Sequence, residues 1–258
     1  MWRLNTGATR NGLRAVCDAV LAVTLAPRCI ACARTLDSPL DSPACPDCWS
    51  SIRCLAPPLC LQCGDPLPSW RILSVELERC PRCRRRPPVI NQGRSAGDYA
   101  GALRHIIHAF KYDKRRTLAA PLGGMMSDAG AALLQDADCV VPVPLHPWRH
   151  FSRGFNQAAD LAATLGPPVV IALWRQRFTR PQTGLPAAAR RRNVQDAFGL
   201  SPLLMRHSVE THLRDRIVVL VDDVKTTGAT LDACARVLKR AGAREVRALT
   251  AARAPAPR

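Results

Sequence analysis

The sequence predicts an α/β domain built on a parallel sheet flanked by helices, preceded by a small module that folds around metal. Three observations carry this. Ile217 to Val221 is wholly apolar and β-branched except for Leu220, which suits a strand buried on both faces. Strand-like and helix-like patterns alternate from Ser95 to the C-terminus. Eight of the 12 cysteines lie between positions 29 and 83 as four CxxC pairs, a density that fits tetrahedral thiolate sites.

At 258 residues the chain can hold one good core and something smaller. Residues 1–26 are expected to form an amphipathic helix that docks on the rest, with Leu13, Val16, Cys17, Val20, Leu21 and Leu25 on one face. A positive start and the stretch AVCDAVLAVTLA also resemble a secretory leader, but Asp18 interrupts the apolar run. No stretch approaches the 18 or more apolar residues of a membrane span. A reducing, cytoplasmic location follows from cysteines read as thiolates.

Residues 27–88 are punctuated by proline and lack hydrophobic periodicity, so their fold must come largely from metal, read as zinc, with disulfides or an iron–sulfur cluster as the alternatives. The simplest ligand sets are sequential: Cys29, Cys32, Cys45 and Cys48 for one zinc ion, Cys60, Cys63, Cys80 and Cys83 for the other. Spacing alone leaves a crossed pairing open. Cys54 lies between the sets as a spectator.

The α/β domain is expected over 92–254. Leu103, Ile106, Ile107 and Phe110 mark a helix, with His105 and His108 off its buried face; Leu118, Leu122, Met125, Met126, Ala129 and Leu133 mark a second. Residues 138–144 read as a strand ending in prolines, and LHPWRHFSRGFNQ leads into a helix through Phe155, Ala158, Ala162 and Leu165. Val169 to Trp174 can be another strand. The basic, irregular stretch RQRFTRPQTGLPAAARRRNVQDAF is read as a mobile lid. Strand 217–221, helix 228–241 and a strand near Val246 to Thr250 close the domain.

The formal charge of +17 falls to +13 once eight thiolates contribute −8 and two zinc ions +4. Runs such as Arg84-Arg85-Arg86, Lys114-Arg115-Arg116 and Arg190-Arg191-Arg192 could grip phosphates of a nucleotide or a nucleic acid. A solvated surface in an arginine-rich chain explains the same runs.

The chemistry concentrates in VVLVDDVKTTGAT, residues 218–230. Ligands of open parallel sheets bind beyond the carboxyl ends of the strands, where Asp222 and Asp223 stand. Glycine lets a backbone come close, threonines add hydroxyls and a helix start presents N–H groups, so Lys225, Thr226, Thr227, Gly228, Ala229 and Thr230 suit a phosphate. A capped helix after a buried strand would explain one acid, not two followed by TTGAT.

This stretch resembles the 5-phosphoribosyl-1-pyrophosphate (PRPP) signature of type I phosphoribosyltransferases. The order of CxxC pairs, YAGALRHIIHAFKY, VPVPLHPWRHFSRGFNQAADLA, RPQTGL with RRRNVQDAF, and VDDVKTTGATLDACARVLKRAGA is similar to that of ComF-family proteins. The resemblance implies a type I phosphoribosyltransferase-like sheet behind a double zinc ribbon. It implies Asp222 and Asp223 as catalytic carboxylates on the ribose hydroxyls, residues 225 to 230 as the 5-phosphate loop, and Mg2+ carried with PRPP. His146, Arg149, Arg153, Gly154 and Asn156 are candidates for pyrophosphate, and Arg180, Gln182, Arg191 and Asn193 for a closing lid. The acceptor is unknown. A non-catalytic role in natural transformation, sensing PRPP or binding single-stranded DNA or the competence machinery, is the alternative.

Overall fold

The computed structural model describes residues 16–21, 23–67, 78–145, 151–176, 197–202 and 211–254. His146, Arg149, Arg180, Gln182, Arg191, Asn193 and the lid at 177–196 lie outside the described residues, as does Leu13. The chain forms two compact units, Met1–Ile52 with Ala100–Leu118 and Arg53–Tyr99 with Ala119–Arg258.

In the first unit, short helix α1 (Pro46–Ser50) carries Cys48 at the first cysteine cluster. Leu103, Ile106, Ile107 and Phe110 are buried along one face of a longer helix of this unit, while His105 and His108 are exposed as the periodicity predicts. Helical residues near the N-terminus depart from expectation. Val16, Cys17, Val20 and Leu25 are exposed, and Asp18, in the middle of the apolar run, is buried and accepts a 2.9 Å hydrogen bond from the Leu40 N–H. A backbone donor of the first ribbon needs an acceptor, and that local requirement outweighs a weak apolar stripe.

The second unit is built on four parallel strands, β1 (Gln92–Asp98), β2 (Cys139–Pro142), β5 (Ile217–Lys225) and β6 (Glu245–Arg253), in the order β1-β6-β5-β2. Between β2 and β5 in sequence, β3 (Leu173–Arg175) and β4 (Phe198–Leu200) form a separate antiparallel pair. The strand read at 169–174 is thus divided: Val169 bridges Val140 in parallel, and only its end joins β4.

Strand alternation sorts the central residues. Val218 and Leu220 join one core with Leu231, Cys234, Ala235 and Leu238 of the helix Ala229–Arg240, so Val219 and Val221 turn to the opposite face. A helix at Ala119–Leu134 lies against β1 and β6. Its buried face includes Gly123 and Gly130, where the sequence suggested Met125 and Ala129; a Cβ on Gly130 would stand 2.7 Å from the Leu249 side chain.

The helices so far are numbered in chain order: α2 is Pro81–Arg85, α3 Gly101–Tyr112, α4 Ala119–Leu134, α5 Gln157–Ala162 and α6 Ala229–Arg240.

Candidate functional site

Both cysteine clusters form with sequential membership, Cys29, Cys32, Cys45 and Cys48, then Cys60, Cys63, Cys80 and Cys83, each set with its sulfurs within 4.8 Å of one another. A zinc–sulfur bond of about 2.3 Å requires tetrahedral sulfurs about 3.8 Å apart. The Cys29–Cys48, Cys32–Cys45 and Cys63–Cys80 sulfurs are each 3.7 Å apart, so the donor set fits zinc, and all 12 cysteines are free of disulfides. Backbone N–H groups converge on the sulfurs, from Cys45 to Cys29 at 3.3 Å and from Cys80 to Cys60 at 3.2 Å. In the second tetrad the Cys63 side chain and the backbone N–H groups of Cys63, Cys80 and Gln62 pull the Cys60 thiol down to about 4, while the Cys60 side chain and burial push Cys63 up and burial pushes Cys83 up to about 12. Zinc binding would release the protons these buried thiols hold, since thiolate is the form that ligates.

At the other candidate site, β5 is longer than its sequence predicts. It runs on to Lys225, paired with β6 throughout, whereas β2 stops at the Pro142–Val221 pair. Asp222 and Asp223 therefore lie in the strand's last turn, just past the reach of β2. Alternation puts them on opposite faces of the sheet. Asp222 shares the face of α6, and its carboxylate, after burial itself, pushes the Cys234 thiol further up. Asp222 Oδ1 also accepts the Asp223 N–H at 2.8 Å. Asp223 is the more buried of the two, at 9% exposure.

The strand gives way to a loop at Thr226 to Gly228 and then to α6. Gly228 caps the helix with φ 78°, a left-handed conformation that favours glycine, and a Cβ there would meet nothing within 4 Å. Thr227 Oγ1 lies 3.4 Å from the Ala229 N–H it accepts. The twelve-residue α6 thus starts at a glycine whose Cα is unobstructed among the described residues.

Lys225 is placed differently from the sequence reading of a phosphate contact. Its ammonium is 4% exposed and donates to the Cys63 carbonyl and, at 2.7 Å, to Asp65 Oδ1. Arg253, its register partner on β6, also bonds Asp65 Oδ1, and Arg82 bonds Asp65 Oδ2, both at 3.0 Å. Burial opposes charge on Asp65, yet Lys225, Arg82 and Arg253 hold its carboxyl below its ordinary range. Sequence reasoning missed Asp65 and Arg82. Both sit in or beside CxxC pairs, where a charged residue reads as solvated; Arg82 between Cys80 and Cys83 was the available signal.

Among the pyrophosphate candidates, Asn156 is a structural residue here. Its Oδ1 accepts the Ala158 N–H, capping α5, and its Nδ2 donates to the Val143 carbonyl at 3.2 Å. Arg153 Nη1 donates to Gln157 Oε1 at 3.1 Å, and Gly154 is left-handed. This loop leaves the carboxyl end of β2 next to β5, so the topology brings it to the same end of the sheet as Asp222 and Asp223.

Two family models match, a Double zinc ribbon domain over residues 20–84 and a Phosphoribosyl transferase domain over residues 152–258. Competence protein F of Haemophilus influenzae is 31% identical over 237 residues, spanning 88% of this chain and 97% of that protein. The chain belongs to the ComF family. DNA utilization protein YhgH of Escherichia coli O157:H7 is 34% identical to this ComF-family chain over 198 residues, 73% of it and 81% of YhgH. Competence protein ComFC of Streptococcus pneumoniae is 24% identical over 241 residues. No helix among the described residues of the ComF-family chain is long and apolar enough to cross a membrane.

Proposed function

We propose that this ComF-family protein binds PRPP with Mg2+ at the β5–α6 junction, transfers the phosphoribosyl group to an acceptor, and serves the uptake or use of DNA. The observation that carries this is the junction itself: β5 outruns β2, carries two adjacent carboxylates of which Asp222 is partly exposed and Asp223 buried, and leads to a left-handed glycine at the start of a helix. The loop backbone at 226–230 receives the 5-phosphate, with the Lys225 side chain committed elsewhere. Asp222 accepts from the ribose diol on the α6 face and Asp223 from the opposite side.

Displacement of pyrophosphate at the anomeric carbon needs no protein nucleophile, so orientation and charge stabilisation are what the chain supplies. Asp222 and Asp223 are the residues that would stand nearest a magnesium ion brought in with PRPP, which would supply positive charge to the leaving pyrophosphate. One or two carboxylates beside substrate phosphates suit that ion, and no carboxylate cage occurs among the described residues. A reducing cytoplasm is part of the proposal, since the eight ligand cysteines must remain thiolates.

A second reading, nucleic-acid binding by charge, is favoured by the exposed Arg84, Arg85 and Arg86 at the end of α2 and by the names of the relatives. Parallel titrations separate the two. Asp222→Asn with Asp223→Asn should abolish PRPP·Mg2+ binding and leave single-stranded DNA affinity unchanged. Replacing the three arginines by alanine should spare PRPP. If PRPP binding survives the double aspartate change, the junction is not the ribose site.

A further inference from the structure

The zinc ribbons read in sequence as a separate appendage, but the second is joined to the phosphate loop through one buried carboxylate. Asp65 follows Cys63-Gly64 and takes Lys225 from β5, Arg253 from β6 and Arg82 from between Cys80 and Cys83. Lys225 also bonds the Cys63 carbonyl, a backbone atom of a zinc ligand residue. Arg82 reaches forward as well, with Nη1 3.5 Å from the Thr227 carbonyl inside the loop. Gly64 presses on β1 so closely that a Cβ would stand 2.3 Å from the Gly93 oxygen.

These contacts determine where the loop begins. Residues 226–228 hang between Lys225, fixed to the ribbon, and α6, whose Asp232 Oδ1 accepts the Val89 N–H at 3.1 Å from the chain just after the ribbon. Both ends of the loop are thus anchored to the segment that the second tetrad organises.

We propose that Asp65 is a positioning residue: through Lys225 and Arg82 it transmits the fold of the second zinc ribbon to the phosphate loop, so that PRPP binds only when this ribbon is formed. The inference rests on the reading of the junction as a PRPP site. Three cations held by one carboxylate keep their geometry only while that charge is present, because buried or half-buried cations left together repel.

The test uses full-length, zinc-loaded protein carrying Asp65→Asn. Asp138→Asn is the control, since it loses a comparable pairing, with Arg216 at 2.9 Å, at the amino end of β5. Zinc content, PRPP·Mg2+ affinity and hydrogen exchange at 226–230 without ligand are measured on each. Asp65→Asn should retain two zinc ions, bind PRPP at least tenfold more weakly and exchange the loop at least tenfold faster; Asp138→Asn should do neither. Wild-type affinity and loop protection in Asp65→Asn would overturn the proposal.

If Asp65→Asn does not fold, Arg82→Gln, which keeps all eight ligands, reads the same quantities with the same expected direction. If the wild-type protein itself binds no PRPP, the functional reading fails, while loop exchange in the variants still decides the positioning role.

Discussion

At the level of single residues, the junction separates side chains proposed to bind PRPP from side chains that hold the protein together. Gly228→Val forces a β-branched residue to φ 78° and fills the space before α6; backbone strain alone is worth about 1–3 kcal/mol. It should abolish PRPP binding in calorimetry. Lys225→Ala instead strips a buried cation from Asp65, which keeps two arginines. Breaking a buried pair costs about 3–5 kcal/mol, and the remaining partners reduce this to about 2–3 kcal/mol, measurable as a fall in the denaturant midpoint. A stability unchanged by Lys225→Ala would mean that its ammonium is not in the ribbon. Asp222→Asn should weaken PRPP by about 10- to 100-fold, the worth of charge-assisted hydrogen bonds at 1.5–3 kcal/mol. The acids and the glycine were legible because their types are rare after an apolar run. The task of Lys225 was not, because a lysine beside a phosphate loop looks the same whether it turns to ligand or to protein.

At the level of elements, the strands and helices with strong periodicity were legible. The buried face of α3 and the start of helix α6 lie where the sequence puts them, while β5 begins as expected but runs past Val221 to Lys225. Strand β1 was not legible. Its sequence QGRSAGD has neither β-branched residues nor alternation, yet Ser95 and Ala96 are each 2% exposed. Small residues are needed there because the chain at 53–64 lies directly on the strand: Leu55 donates to the Ala96 carbonyl, Cys54 bridges Gly97 and Gly64 abuts Gly93. Tertiary approach, not strand propensity, selected them. Helix α5 offers a separate check. Asn156→Ala removes both its cap and its clamp on Val143 and should lower stability by about 1–2 kcal/mol, read by thermal unfolding, with zinc content unchanged. A loss of zinc instead would place Asn156 in a different structural role.

At the level of the whole molecule, the second cysteine tetrad and the proposed PRPP site are joined through Asp65. Elemental analysis should find two zinc ions per chain. Chelation should remove hydrogen-exchange protection from 60–83 and from β1 together, since the second ribbon and that strand share one compact unit. Protection of β1 that outlasts chelation would make the ribbon a detachable module. The central claim, however, is that the β5–α6 junction of this ComF-family protein is a working ribose-phosphate site. It is tested most directly by calorimetric titration of the zinc-loaded protein with PRPP in the presence and absence of Mg2+. One PRPP per chain should bind, with affinity that requires Mg2+, is competed by ribose 5-phosphate and is lost in Asp222→Asn with Asp223→Asn. No heat of binding from folded, zinc-replete protein, or equal binding by the double variant, would contradict it.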